Sequence, residues 1–246
     1  MQTVYRVYEG AREPHRLAVE RTAEVLGRGG LALIPTETVY GVAVAVNAFS
    51  DAVSQDTSES PSWPRDPQAT VNGAAVPALG TGYRRIFTLK QRELTQTVAW
   101  LVDGVEALDR YGVDIPEEAR VLARRCWPGA LTIVIKAAPA CRPLCALPTT
   151  PWPARFGLSR GPGSHPRLRQ SPCLHERQYA RRASPASFAA VEGRILEGVD
   201  VAVDAGETPC RDASTIVSFQ HGELQILRQG ALPASEIERV LSDPVQ

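Results

Sequence analysis

The segment that decides the fold is GGLALIPTETVYGVAVAV, which spans residues 29–46. An apolar run ends in a polar corner that begins at Thr36, and a second apolar run follows Tyr40. Two apolar strands joined by a short polar corner are typical of a sheet whose loops present binding groups. The pattern predicts strands at 31–35 and 39–46, with a corner that is either a plain turn or part of a site.

The composition sets broad limits on the class of protein. The chain has 246 residues, 43% of them hydrophobic, which suits one large α/β domain or two small ones. Basic and acidic residues balance at 27 each, so net charge does not argue for nucleic acid. The five cysteines fit no common zinc pattern, and no segment resembles a signal peptide or a membrane span. We therefore expect a soluble cytoplasmic protein with reduced thiols and no membrane partner.

The remaining pattern predicts helices and strands that intermix without strict alternation, as in a twisted mixed sheet with helices on its faces. Ser184 is expected to cap one helix, with Pro185 at its first position. Helices are expected at 14–30, 82–90, 116–126, 184–196 and 233–241, and further strands at 97–102, 130–137, 200–206, 214–219 and 224–230.

Two segments lack any periodicity. Residues 47–82 are rich in Ser, Pro, Asp and Gly, and residues 140–182 are rich in Pro and Arg. We expect one domain over 1–246, with an irregular insertion at about 47–82 and a second irregular segment at about 140–182.

Four polar clusters follow or precede apolar segments, and together they offer cations and hydroxyls that suit a triphosphate. Each cluster alone has a plainer interpretation: a helix end matched to its dipole, a solvated strand end, or a turn hydroxyl. The clusters are Thr36 to Tyr40, Lys90 with Arg92, Trp127 to Thr132, and Ser214 and Thr215 with Arg228.

In this order the clusters resemble the YrdC/Sua5 family of threonylcarbamoyl-AMP synthases. The matching stretches are IPTETVYGV, IFTLKQR, WPGALTIVIKA, STIVSF and ILRQGAL, and they cover most of residues 18–241. The resemblance implies an α/β (α+β type) fold: a YrdC-like twisted mixed β-sheet with flanking helices around a deep basic cavity.

The resemblance also implies a reaction. L-threonine, bicarbonate and ATP would form threonylcarbamoyl-AMP with release of pyrophosphate, and Mg²⁺ would bind through the phosphates without a metal ligand from the protein. The product would serve a downstream threonylcarbamoyl transferase in the N6-threonylcarbamoyl modification of adenosine 37 in tRNA.

The resemblance implies roles for the residues of this chain that match the family's motifs. Lys90 and Arg92 match the catalytic basic pair on the ATP phosphates. Thr36 and Ser214 match threonine-binding hydroxyls. Thr132 and Arg228 match ATP-binding residues, although the family motif Leu-Arg-Pro-Gly reads LRQG here.

The resemblance breaks between 147 and 185, where the family's Arg-Val-Pro and Ser-Ala-Asn elements are absent. The stretch HERQYA, residues 175–180, can be encoded so that a shift by one base reads Thr-Ser-Ala-Asn-Thr. A frame shift and real divergence both remain open for 140–182, and the chain as written is expected to be an impaired synthase.

The alternative function is a non-catalytic YrdC-like protein that binds tRNA or double-stranded RNA through a basic face. The arginines of 155–182 would suit such a face, but a frame-shifted product of GC-rich DNA would be rich in arginine without any function. An RNA-binding protein would not need the threonine-site hydroxyls.

Overall fold

A computed structural model describes residues 3–7, 12–45, 65–71, 74–94, 98–102, 104–138, 153–157, 173–177, 184–220 and 222–243. At 12–14, 65–71, 74–77, 153–157 and 173–177 the description concerns the backbone.

The described part of the chain contains six α-helices and one 3₁₀ turn. The helices are α1 (Arg12–Gly27), α2 (Gly82–Lys90), α3 (Ala107–Tyr111), α4 (Glu117–Cys126), α5 (Gly193–Gly198) and α6 (Ala234–Ser242), and the 3₁₀ turn is Phe188–Ala190. No helix in these ranges has the length and apolar character needed to cross a membrane.

Thirteen strands are present in the same ranges. They are β1 (Thr3–Arg6), β2 (Ala32–Pro35), β3 (Tyr40–Ala45), β4 (Arg65–Val71), β5 (Ala74–Pro77), β6 (Ala99–Leu101), β7 (Gly112–Val113), β8 (Leu131–Ala137), β9 (Pro153–Gly157), β10 (Cys173–Arg177), β11 (Val201–Asp204), β12 (Thr215–Gln220) and β13 (Glu223–Arg228).

Eleven of these strands form one mixed sheet in the order β1-β11-β2-β3-β10-β6-β9-β8-β12-β13, with β7 beside β8. Strands β4 and β5 form a separate antiparallel pair. The mixed sheet with flanking helices confirms the predicted fold class. The deep basic cavity stays a prediction.

Helix α2 shows how local sequence sets one boundary. The side chain of Thr81 accepts a hydrogen bond from the Arg84 N–H at the start of the helix. Gln91 ends the helix in the left-handed region, at φ 52°, and its N–H reaches back to Phe87 O and Thr88 O. Between these ends, Ile86 and Phe87 are buried in the main core with side chains of β3 and β8. The prediction of a helix over 82–90 is confirmed.

The expected helix start at Ser184 is wrong. Ser184 and Pro185 do not start a helix: the chain there is extended, a 3₁₀ turn follows at Phe188–Ala190, and α5 begins only at Gly193. The extended chain makes hydrogen bonds that a helix would forbid, because Pro185 O accepts from Tyr40 N–H and Phe188 N–H donates to Gly206 O.

Strands also occur inside the two segments predicted to be irregular. β4 and β5 lie within 47–82, and β9 and β10 lie within 140–182. At those residues the expectation of no packed strands is corrected, since backbone pairing does not require the side-chain alternation on which the prediction rested. The rest of both segments lies outside the described residues.

The two strands of the second segment hold a central place. β10 lies between β3 and β6, and β9 lies between β6 and β8. They therefore join the half of the sheet that carries β2 to the half that carries β12.

The sheet must curl strongly. Five strands lie between β2 and β12, and the parallel and antiparallel pairings along this path make β2 and β12 run in the same direction. In a flat sheet, the end of β2 and the start of β12 would therefore lie on opposite edges. Six strand spacings would also separate them by about 29 Å. Yet the Cys210 N–H donates to Glu37 O at 2.8 Å, and the five residues from Cys210 to Thr215 span at most about 18 Å. Twist of roughly 20–25° at each of six steps reorients β12 by about 120–150° and brings its start toward the end of β2.

A carboxylate fastens α2 to the sheet. Asp200 accepts hydrogen bonds from Arg85 Nη1 at 2.8 Å, Arg85 Nη2 at 2.9 Å and the Leu31 N–H at 2.7 Å. Partial burial raises the pKa of Asp200, but the hydrogen bonds from Arg85 and Leu31 outweigh it, so this pKa lies below its ordinary value. The charged form is therefore favoured by folding.

We expect Asp200→Asn to lower the urea midpoint of unfolding at pH 7. A depressed pKa contributes stability above the unfolded value of about 3.9 and loses it as the pH falls through the folded value, so the difference from the parent should shrink below about pH 4. Asp109→Asn, at the exposed pair with Arg120, serves as control and should change stability by less than about 1 kcal/mol. An Asp200→Asn effect that is constant from pH 7 to pH 3 would contradict the electrostatic origin.

Candidate active site

Two buried hydroxyls meet where β8 and β12 begin. Thr132 Oγ1 and Ser214 Oγ lie 2.6 Å apart, and the two side chains are 5% and 1% exposed. The parallel pairing of Thr215 with Leu131 sets these strand ends side by side. Each hydroxyl can donate one hydrogen bond and accept others, so the pair can orient a polar ligand group.

A cation lies at the same end of the sheet. Arg228 ends β13, and its Nη2 and Nε donate to Ser214 O at 2.7 and 3.3 Å. The guanidinium is permanently charged and half-buried. Thr132, Ser214 and Arg228 thus form one cluster although they are far apart in the chain.

The turn after β13 fixes the position of Arg228. Thr215 Oγ1 accepts from the Gly230 N–H at 2.9 Å and donates to Leu232 O at 2.5 Å. Gln229 adds hydrogen bonds from its Nε2 to Gly230 O and Leu232 O, at 2.9 and 2.8 Å. A Cβ at Gly230 would lie 2.2 Å from Ala213 O, so the close backbone approach requires glycine.

The Thr36 corner is built around the Thr36 hydroxyl. Thr36 Oγ1 donates to Val39 O at 2.7 Å and accepts from the N–H groups of Thr38 and Val39, both at 3.2 Å. Thr38 Oγ1 lies 2.9 Å from Thr36 Oγ1, and both side chains are buried. The hydroxyl therefore serves the turn itself, which is the plainer of the two interpretations from sequence. Its predicted role toward threonine stays a prediction.

The segment of residues 205–214, here called the bridging loop, connects the corner to the hydroxyl pair. Thr208 Oγ1 donates to Thr38 O at 2.7 Å, and the Cys210 N–H donates to Glu37 O at 2.8 Å. The same loop ends at Ser214, directly before β12. Thr36 is thus joined to the cluster through one short segment.

Tyr40 anchors the first half of this loop. Its hydroxyl donates to Gly206 O at 3.0 Å and accepts from the Ala205 N–H at 2.9 Å. Its ring contacts Phe188 edge-on, with centroids 5.8 Å apart. Burial raises the pKa of Tyr40 to about 12, so the phenol stays protonated and can keep donating.

Lys90 and Arg92 lie at the end of α2. Lys90 is 3% exposed, and Arg92 follows the left-handed residue Gln91. The first half of α2 lies beside the start of β2, because Arg85 donates to Asp200, which also accepts from the Leu31 N–H. The last turn of α2 lies beside the start of α5, because Leu89 O accepts from Arg194. α2 therefore runs toward the edge of the sheet that carries the Thr36 corner.

The structure brings Thr132 and Arg228 each into contact with Ser214 and links Thr36 to this cluster through the bridging loop. Lys90 ends a separate helix, α2, that packs over β3, and Arg92 follows that helix by two residues. The assigned roles of all six residues stay predictions.

Sequence reasoning missed the part of Thr208. The residue is 2% exposed within a polar segment between two apolar strands. No local pattern distinguishes it from a solvated loop threonine, because its partners lie 170 and 22 residues away. The sequence places Thr215 in a polar cluster, but only the tertiary fold reveals that its hydroxyl holds the turn after β13.

We expect Gly230→Ala to destabilise the fold by about 1–3 kcal/mol, because the added methyl overlaps the backbone at Ala213 and Ser214. Gly27→Ala is the control, since a Cβ at Gly27 meets no atom within 4 Å. Urea unfolding followed by fluorescence measures both variants. Equal midpoints for the two would contradict the close approach.

The Sua5/YciO/YrdC family model, described as "Telomere recombination", matches residues 70–151. The threonylcarbamoyl-AMP synthase of Pyrococcus abyssi is 30% identical over 189 residues, which cover 72% of this chain and 53% of that protein.

Solved structures share the fold. The P. abyssi Sua5 complexed with L-threonine superposes with a TM-score of 0.70 at 23% identity, covering 98% of this chain and 61% of that one. YciO of E. coli superposes with a TM-score of 0.70 at 13% identity, covering 96% of this chain and 100% of that one. The chain thus spans little more than half the length of the P. abyssi relatives and the full length of YciO. The chain therefore carries a domain of the Sua5/YciO/YrdC family.

Proposed function

We propose that the protein is a threonylcarbamoyl-AMP synthase. It condenses L-threonine, bicarbonate and ATP, releases pyrophosphate, and supplies the threonylcarbamoyl group for the modification of adenosine 37 in tRNA. The 30% identity to the P. abyssi synthase supports the reaction class. The observation that carries the proposal is the contact of Thr132 with Ser214 at 2.6 Å, because it joins one residue assigned to ATP with one assigned to threonine.

The proposed chemistry has two steps. The amine of threonine attacks the carbon of bicarbonate and water leaves, which gives a carbamate. A carbamate oxygen then attacks the α-phosphorus of ATP, and pyrophosphate leaves as the bond to the β-phosphate breaks. Neither step demands a general base with an unusual pKa, so positioning and charge neutralisation supply most of the rate enhancement.

The residues take the roles that the family resemblance implies. Thr36 and Ser214 hold threonine, while Thr132 and Arg228 hold the nucleotide. Lys90 and Arg92 neutralise charge on the phosphates, and Lys90 does so from a buried position where screening by solvent is weak.

Among the described residues, none of the site's proposed ligands is a carboxylate, so a divalent cation would bind through the nucleotide. Across the side chains that the structure describes, no group of three His, Cys, Asp or Glu residues could hold a metal ion. We propose that Mg²⁺ is carried by phosphate oxygens, whose charge it would partly neutralise.

The burial of the site favours a small-molecule enzyme over the RNA-binding alternative. Lys90, Thr132 and Ser214 are each no more than 5% exposed, whereas contacts to an RNA backbone need cations at the surface. The same proposal places the protein in the cytoplasm with tRNA and a downstream transferase.

Lysine substitutions test the phosphate contacts. The chain has only two lysines, and Lys136 is exposed and paired with Asp114. In a chain recoded at residues 175–178 to read Thr-Ser-Ala-Asn, we expect Lys90→Ala to abolish turnover, with pyrophosphate release reduced by at least about 10²-fold, because a buried cation set against the triphosphate is lost. Lys136→Ala should leave the rate unchanged.

The assay requires that pyrophosphate release depend on both L-threonine and bicarbonate. A Lys90→Ala variant with the parent rate would remove Lys90 from the mechanism. Release of pyrophosphate when L-threonine or bicarbonate is left out would contradict the proposed reaction.

A recoded chain tests the break in the family pattern. We expect the chain as written to be a poor synthase, and a version with His175→Thr, Glu176→Ser, Arg177→Ala and Gln178→Asn to gain about 10²- to 10⁴-fold in turnover. Several buried hydrogen bonds of about 1–3 kcal/mol each would account for that gain. Equal full activity in the two versions would show that the Ser-Ala-Asn element is not needed, and the coding DNA across 147–185 decides whether the frame is shifted.

A further inference from the structure

The bridging loop is held to the Thr36 corner by a buried hydroxyl that the mechanism above does not use. Thr208 Oγ1 donates to Thr38 O at 2.7 Å, and Ala186 O lies 3.0 Å from the same oxygen. The Thr208 N–H donates to Ala186 O at 2.7 Å. One residue therefore ties three distant segments together: the corner, the chain before the 3₁₀ turn, and the bridging loop.

The contact continues on both sides. On one side, Thr38 Oγ1 lies 2.9 Å from Thr36 Oγ1. On the other, the loop ends at Ser214, whose hydroxyl lies 2.6 Å from Thr132. Together with the Cys210 N–H bond to Glu37 O, Thr208 thus helps to set the separation between the two residues assigned to the amino-acid substrate.

Because Thr208 is buried, its position requires a side chain with a hydroxyl. Thr208 is 2% exposed, so water cannot readily replace its hydroxyl if the side chain is made apolar. Loss of the hydroxyl would leave Thr38 O without that donor and would weaken the attachment of the loop to the corner, where the Cys210 N–H still donates to Glu37 O.

We propose that Thr208 is a positioning residue that fixes Thr36 and Ser214 at the spacing needed to bind the β-hydroxy α-amino acid substrate. The proposal rests on the proposed function, because it names the binding geometry of the same site. It assigns Thr208 no contact with substrate.

The predicted signature is a split between the two substrates. Thr208→Val removes the hydroxyl at nearly constant volume, and we expect it to raise KM for L-threonine about tenfold, the loss of roughly one hydrogen bond, while KM for ATP changes less than about twofold. Thr208→Ser retains the hydroxyl and should keep both KM values near those of the parent.

Thr22→Val is the matched control. Thr22 is also a 2% exposed threonine, it lies on α1, and no hydrogen-bond partner for its Oγ1 is found among the described residues. The same substitution there should leave both KM values unchanged. Kinetics are measured with each substitution both in the parent chain and in the chain recoded at 175–178.

Hydrogen exchange provides a readout that does not depend on turnover. The amides of Thr38 and Val39 are protected by Thr36 Oγ1, so Thr208→Val should speed their exchange, whereas Thr208→Ser and Thr22→Val should not.

The outcomes separate the two proposals. Absence of threonine-dependent pyrophosphate release in both parent versions overturns the proposed function, and exchange at the corner then decides the structural role of Thr208. Unchanged exchange in Thr208→Val overturns the positioning role. Where turnover is measurable, equal threonine KM values, or a parallel rise of both KM values, also overturn it.

Discussion

The hydrogen bond from the Cys210 N–H to Glu37 O is the constraint on which the rest of the architecture depends. It fastens the middle of the bridging loop to the end of β2, while the end of the loop is fixed at the start of β12. A flat sheet would place those two points too far apart for five residues to connect. The sheet must therefore curl, and the curl brings Thr36 toward Ser214 and Arg228.

The curl depends in turn on strands in the middle of the sheet. β9 and β10 connect the half that contains β2 with the half that contains β12, and every step between them contributes twist. A change of sequence in β9 or β10 would therefore act at the centre of the sheet. A change in the pairing of β10 with β3 or β6 would alter the distance between the two halves of the sheet. It would also move any residue of β10 that contacts a ligand.

Much of the fold could be predicted from the sequence, because apolar periodicity and capping report on local structure. The helix at 82–90 and the strand at Leu131–Ala137 are examples: the apolar spacing of Ile86 and Leu89 predicts the helix, and a continuous apolar run predicts the strand. The prediction of a helix from Ser184 is wrong although Ser184 and Pro185 are a typical capping pair. The backbone of this segment makes hydrogen bonds to Tyr40 and Gly206 rather than to the following helical turn. Thr208 could not be found at all, since its importance comes from partners that only the tertiary fold supplies.

The most direct test of the account is a crystal structure of the chain with L-threonine and a non-hydrolysable ATP analogue. The account predicts that threonine lies between Thr36 and Ser214 and that the triphosphate contacts Lys90, Arg92 and Arg228. Thr36 and Arg228 should then lie within about 20 Å of each other, the rough span of two adjacent ligands in an ordinary pocket. Threonine and nucleotide in separate pockets, or Thr36 farther than that from Arg228, would contradict it.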